Sequence, residues 1–128
     1  MGEIRSYRDL IAWQKSMELC VAVHRRTARF PKEEIYGLAQ HARRSAVSVS
    51  SNIAEGWGRG APTEFLRFLR IARGSLCELE TQVQLAECLG YLHAGEVAEL
   101  NASSGECSKV LQGLIESIER KQAANERV

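Results

Sequence analysis

The sequence has few of the residues that mark most function classes. Its 128 residues include only two prolines and three phenylalanines, which argues against a turn-rich β sandwich. No apolar run approaches the ~18 residues of a membrane span, and Met1-Gly2-Glu3-Ile4-Arg5-Ser6 lacks the apolar stretch of a secretory signal. Gly2 and Ser6 match the short myristoylation pattern, but Ser6 with Asp9 reads more simply as a capping box opening a helix. No Cys-x-x-Cys joins Cys20, Cys77, Cys88 and Cys107, which excludes a zinc ribbon and a thioredoxin-like motif and leaves reduced thiols in a cytoplasmic protein. Cys20 and His24, four apart, give two ligands where zinc takes three or four, and no Glu-x-x-His supplies a di-iron site. Gly56-x-Gly58-x-Gly60 has a helix before it rather than a strand and no Gly-Lys-Ser/Thr at its end, so it reads as a helix-helix link and not a phosphate loop. No catalytic residue, metal or cofactor is expected.

What is present is helical periodicity. At 45% hydrophobic and 26% charged, the chain is an ordinary globular domain. Four amphipathic segments appear at about 7–29, 33–55, 62–89 and 96–121, between a disordered start (1–5) and a frayed tail (122–128). The first places Leu10, Trp13, Met17, Val21 and His24 on one face, and Phe30-Pro31 stops it. The second carries Leu38, Ala42, Ser45, Val49 and Ile53 and ends where Gly56 begins the glycine run. Pro62 suits a first helical position, and the third segment carries Phe65, Phe68, Leu69, Ala72, Leu76, Leu79, Val83 and Ala86. The fourth uses Val97, Leu100, Ser104, Cys107, Leu111, Leu114 and Ile118 at three- and four-residue steps. Four such helices with short links predict an all-α, single-domain, up-down-up-down antiparallel four-helix bundle. Serines 45, 48, 50 and 51, interleaved with alanines, read as close helix packing rather than catalysis.

Two helices carry more apolar residues than one buried face uses. Leu19 and Val23 (with Ala12) form a second stripe on the first helix, and Ile71, Leu85 and Leu89 lie off the core face of the third. Their recurrence at helical spacing predicts a self-association interface.

Near-neutral total charge, +1, hides a division. Residues 1–73 hold 13 Lys and Arg against 7 Asp and Glu, whereas residues 74–128 hold 4 against 9. Arginine dominates the basic half, with Arg43 and Arg44 on the second helix, Arg59 in the link, and Arg67, Arg70 and Arg73 on the third. A guanidinium fork matches phosphate oxygens, so this clustering suits a nucleic-acid backbone. Neutralisation of the same flank by acidic residues of a neighbouring helix or subunit fits the charges equally well.

The run Arg43-Arg44-Ser45-Ala46-Val47-Ser48-Val49-Ser50-Ser51-Asn52-Ile53-Ala54-Glu55-Gly56-Trp57-Gly58-Arg59-Gly60 is the most distinctive in the chain. With Glu64-Phe65-Leu66-Arg67-Phe68-Leu69-Arg70 after it and Tyr7-Arg8-Asp9-Leu10 before it, it resembles a family of four-helix-bundle proteins encoded in the intervening sequences of bacterial 23S ribosomal RNA genes. The resemblance implies a non-enzymatic scaffold whose copies close into rings, typically pentamers. A related branch, the accessory protein of diversity-generating retroelements, implies RNA or DNA and a reverse transcriptase or other protein as partners. By resemblance, Arg43, Arg44, Arg59, Arg67 and Arg70 are the positions that meet nucleic acid. Ser50 stands where relatives often carry proline, which implies a straighter second helix here. A protein-protein adaptor that binds no nucleic acid is the alternative.

Overall fold

The computed structural model describes residues 2–126. Four helices run α1 (Ile11–Thr27), α2 (Leu38–Gly58), α3 (Pro62–Cys88) and α4 (Ala94–Glu126). They pack in the cyclic order α1-α2-α3-α4, so α1 and α3 stand at diagonal corners without close backbone contact. This is the antiparallel four-helix bundle that the periodicity predicts.

Boundaries differ from the sequence reading for local reasons. Ser6 and Asp9 do form a capping box, but it closes a 3-10 turn at Tyr7–Asp9, and extended Leu10 separates that turn from α1. After Pro31 a second 3-10 turn (Lys32–Glu34) precedes α2. Glu34 then caps α2 from outside, accepting the Leu38 N–H at 3.0 Å and the Tyr91 hydroxyl at 2.9 Å. The Leu38 N–H and then Tyr91 hold the Glu34 carboxyl below its ordinary range. The glycine run does not break α2 at Gly56, because that residue is the contact point with α3 and the helix continues to Gly58. The turn comes at Gly60, whose φ of +78° favours glycine. The tail expected to fray at Gln122 is helical to Glu126 instead, tied back by Gln122 Nε2 donating to Thr63 Oγ1 at 3.0 Å. Met1 and residues 127–128, parts of the expected disordered start and frayed tail, lie outside the described residues.

The core stripes of α2, α3 and α4 are where the periodicity puts them, joined by Leu66 and Ile115. On the first segment the expected core stripe holds only at its start, where Leu10 is buried and Trp13 packs on the core. Leu19 and Val23, expected at a subunit interface, are each 1% exposed and sit in the core with Ala12, while Met17 and Val21 face outward. Apolar content misled here because the true inner face carries Ser16 and Thr27. Their hydroxyls are satisfied internally: Ser16 donates to the Trp13 carbonyl at 2.6 Å, and Thr27 to the Val23 carbonyl at 2.8 Å. Ser50 Oγ donates to Ser16 Oγ at 2.9 Å, and Ser48 pairs with Ser75 at 2.8 Å, so the serine cluster links α2 to both neighbours.

Cys107 is fully buried, and burial, reinforced by Glu106 and Glu80, pushes its thiol up to about 11. An alkylating reagent at neutral pH is therefore expected to label Cys107 only on unfolding, as peptide mass mapping would show. Because the folded-state value is raised above the ordinary 9.0, the associated stability is present below pH 9.0 and lost as pH rises toward about 11. Cys107→Ala removes that alkaline slope.

Candidate nucleic-acid interface

The six arginines picked out by sequence fall into three groups rather than one band. Arg59, from the end of α2, and Arg67, on the outer face of α3, converge on Phe68, with guanidinium carbons 5.0 and 4.6 Å from its ring centre. Each also holds a carboxylate: Arg59 to Glu55 at 2.6 Å and Arg67 to Glu64 at 2.9 Å. The Glu64 partner raises the Arg67 value and is itself held low by it. These four charges sum to zero around one ring.

Arg70 and Arg73 turn toward α4. Arg70 meets Glu119 at 2.7 Å, and Arg73 donates to Gln112 Oε1 at 2.9 Å. Arg70 is thus neutralised across the helix seam, whereas Arg73 keeps its charge on a neutral partner.

Arg43 and Arg44 lie together on α2. Arg43 reaches across to α1, donating to Thr27 Oγ1 at 2.8 Å and the His24 carbonyl at 3.3 Å. Arg44 is exposed and meets no carboxylate within 4.0 Å among the described residues. Those Arg43 bonds bring both residues level with the last turn of α1, where Arg25 is exposed and Arg29 follows, each likewise without an ion-paired carboxylate among the described residues. Arg26 differs, being paired with Glu96 and Glu99 of α4. One end of the α1–α2 hairpin therefore holds four arginines in no ion pair among the described residues, Arg25, Arg29, Arg43 and Arg44, of which Arg29 lies near enough to Glu96 to help lower its carboxyl.

The sequence reading placed Arg25 and Arg29 in the basic half but not in the site. The signal that separates them from Arg67 and Arg70 is the spacing of acids. Glu64 lies three residues before Arg67, and Glu119 faces Arg70 from α4, while nothing comparable stands beside Arg44. Opening an exposed Arg–Glu pair costs at most about 1 kcal/mol, but it leaves a carboxylate beside an incoming phosphate.

Cys20 Sγ lies 3.8 Å from His24 Nδ1, yet no group of three metal-binding side chains exists among the described residues. Likewise, no helix among them is long and apolar enough to cross a membrane.

Met17 and Val21 on α1, and Ile71 and Leu85 on α3 with Leu89 just past its end, remain exposed, as do Ile11 at the start of α1 and Val47 alone on α2, whereas no large exposed hydrophobic residue occurs on described α4. Because α1 and α3 are diagonal corners, these two apolar strips look outward from opposite sides of the bundle.

Comparison with curated proteins gives no match. A solved structure described as a protein of unknown function from the S23 ribosomal protein family of Bacteroides thetaiotaomicron VPI-5482 is similar in fold. It has a TM-score of 0.75 at 23% identity, over 83% of this chain and 96% of that one. Residues 8–113 match the family described as 23S rRNA-intervening sequence protein, a span that takes in α1, α2, α3 and most of α4. The chain belongs to the 23S rRNA-intervening sequence protein family.

Proposed function

We propose that this protein is a non-enzymatic scaffold whose copies assemble through the outer faces of α1 and α3, and that the assembly holds nucleic acid by its phosphate backbone. The observation that carries the nucleic-acid reading is the set Arg25, Arg29, Arg43 and Arg44, none of them in an ion pair among the described residues, at one end of the α1–α2 hairpin. Arg25, Arg29 and Arg44 have no side-chain hydrogen bond among the described residues and keep their donors for phosphate oxygens, Arg43 adds its charge while part of its fork holds α1, and each phosphate contact adds salt-sensitive affinity without base readout. Arg73 supplements this set. Arg59, Arg67 and Arg70 contribute less, because each brings a carboxylate with it.

Assembly follows from the placement of the apolar strips. Strips on opposite sides of one protomer cannot meet each other in a single two-fold contact unless each pairs with itself. The α1 strip of one copy against the α3 strip of the next makes a head-to-tail contact, which closes into a ring when the rotation permits. The family resemblance suggests five copies. Such a ring would repeat the cationic end around its circumference and multiply weak phosphate contacts.

Measuring binding of a structured RNA over a range of salt tests this reading. Affinity is expected to fall steeply with salt, and Arg29→Glu with Arg44→Glu, away from the Met17–Val21 strip, to lower it at least tenfold and flatten the log–log slope by roughly one for each phosphate no longer engaged. Arg67→Glu with Arg70→Glu has the smaller effect. Salt-independent binding, or equal weakening by both pairs of substitutions, contradicts the assignment. The pairing of Arg59, Arg67 and Arg70 with carboxylates favours a second reading, a protein adaptor without nucleic acid, and absence of RNA binding at low salt selects it.

A further inference from the structure

At the end of the bundle away from that cationic set, α1 runs out before its neighbours. The Lys15–Glu106 contact (2.6 Å) and the Arg26–Glu99 pair set an antiparallel register in which Ile11, the first residue of α1, is level with Val110. From there α4 continues for about four more turns to Glu126. The 3-10 turn preceding α1 does not fill the corner, because it packs on α1 and α2 and makes no close backbone contact with α4. What remains is a cleft of about 510 Å³, with Trp57 from α2, Pro62 and Phe65 from α3, and Ile118, Lys121 and Asn125 from α4 in its walls.

We propose that this cleft receives one unstacked base of a single-stranded nucleic acid, with Trp57 and Phe65 as its aromatic walls and Lys121 against the adjoining phosphate. The inference rests on the nucleic-acid reading above and names the form of nucleic acid and a second point of contact.

Three features select this occupant. The volume is that of a small-ligand cleft, with mainly apolar walls and a few polar groups. The charge is complementary, since a lysine lines the cleft and no Asp or Glu does so among the described residues. The Lys121 and Asn125 side chains and the Trp57 indole N–H form no hydrogen bond with other described residues, whereas the Gln122 side chain, also in the wall, is committed to Thr63. The shape excludes a partner helix, which needs a run of apolar anchors along a groove. Here α2 offers Trp57, α4 offers Ile118, and α3 offers Phe65 beside Pro62, separate anchors around one cleft rather than a run along a groove. Aromatic walls accept any base by its π face, so the site holds single strands without reading their sequence.

The test uses the full-length protein carrying Trp13→Phe, which leaves Trp57 as the only indole. An oligouridylate and an RNA duplex of equal length are titrated separately, following Trp57 emission and the anisotropy of the labelled RNA. The single strand is expected to change Trp57 emission saturably while the duplex leaves it unchanged. Trp57→Leu weakens the single strand about tenfold or more, with duplex binding kept within twofold. Lys121→Gln, a surface change, lowers the single-strand salt slope by about 0.7, which keeps the test decisive if Trp57→Leu does not fold. Single-strand binding with Trp57 emission unmoved and the Lys121→Gln slope unchanged overturns this inference and leaves the nucleic-acid reading standing. Failure of both RNAs to bind overturns both. Emission that shifts with protein concentration alone, and not with RNA, assigns the cleft to a second copy and overturns the inference.

Discussion

Gly56→Ala is expected to destabilise the protein by about 2 kcal/mol, whereas Gly58→Ala, two residues away, is neutral or mildly stabilising. Both glycines are in α2. In a helix interior, alanine is intrinsically better than glycine by roughly 0.5–1 kcal/mol, a gain available in full at Gly56 and only in part at Gly58, the last residue of α2. Sterics then separate them. A Cβ on Gly56 would stand 2.6 Å from Phe68 Cβ, 3.1 Å from Phe65 Cδ1 and 3.3 Å from the Phe65 carbonyl oxygen. The nearest of these is close to the α3 backbone rather than the tip of a flexible side chain, so α2 and α3 must move apart. The Phe68 ring also lies under two guanidiniums, which limits how it turns away. Overpacking of this kind costs about 1–3 kcal/mol and sometimes more, which exceeds the propensity gain. At Gly58 an added Cβ meets nothing within 4 Å. Thermal unfolding followed by far-UV circular dichroism reads the contrast. For a domain of this size, the Gly56 variant should melt roughly 5–10 °C lower. A Gly56→Ala protein as stable as the Gly58→Ala protein would mean that the helices do not meet at that point.

Gly56 also shows what the sequence made legible and what it did not. Helical periodicity located the core of α2, α3 and α4, where the large apolar residues of the inner face outweigh the buried Ser45, Ser50, Ser75 and Ser104. Along the first segment it placed Leu10 and Trp13 correctly but turned Met17, Val21 and His24 inward, because the true inner face there also carries Ser16 and Thr27, whose hydroxyls are satisfied by carbonyls of their own helix. A moment built on hydropathy counts those hydroxyls as exposed. Gly56 read as a helix breaker, since local propensity carries no information about a neighbour pressing close. In the candidate interface, arginine clustering was visible along the chain. Which arginines keep their charge was not, because Glu119 reaches Arg70 from 49 residues away. The Glu34 cap on α2 and its Tyr91 partner, 57 residues apart, escaped the sequence for the same reason. Ile71, Leu85 and Leu89 did lie off the core face, as their angular position predicts, and all three are exposed.

Val21→Glu or Leu85→Glu alone is expected to reduce the assembly to monomer, and mixing the two variants to produce a one-to-one dimer and nothing larger. Val21 is 44% exposed on α1 and Leu85 47% exposed on α3, so neither glutamate enters the core and helix content should not change. In a head-to-tail contact, each interface uses one α1 strip and one α3 strip. A protein with a charged α1 strip offers a sound α3 strip and finds no partner among its own kind, because burying the unpaired carboxylate is too costly. The Leu85 variant fails in the mirror-image way. Mixed together, the sound α3 strip of one meets the sound α1 strip of the other, and both remaining strips are blocked. Light scattering would then report about twice the 14.3 kDa subunit mass, well short of a ring. Strips that pair with themselves across two-fold axes behave otherwise: Val21→Glu alone would stay dimeric through α3, and mixing would add nothing. A monomeric wild type at micromolar concentration would refute both arrangements. It would leave Met17, Val21, Ile71, Leu85 and Leu89 as ordinary surface residues.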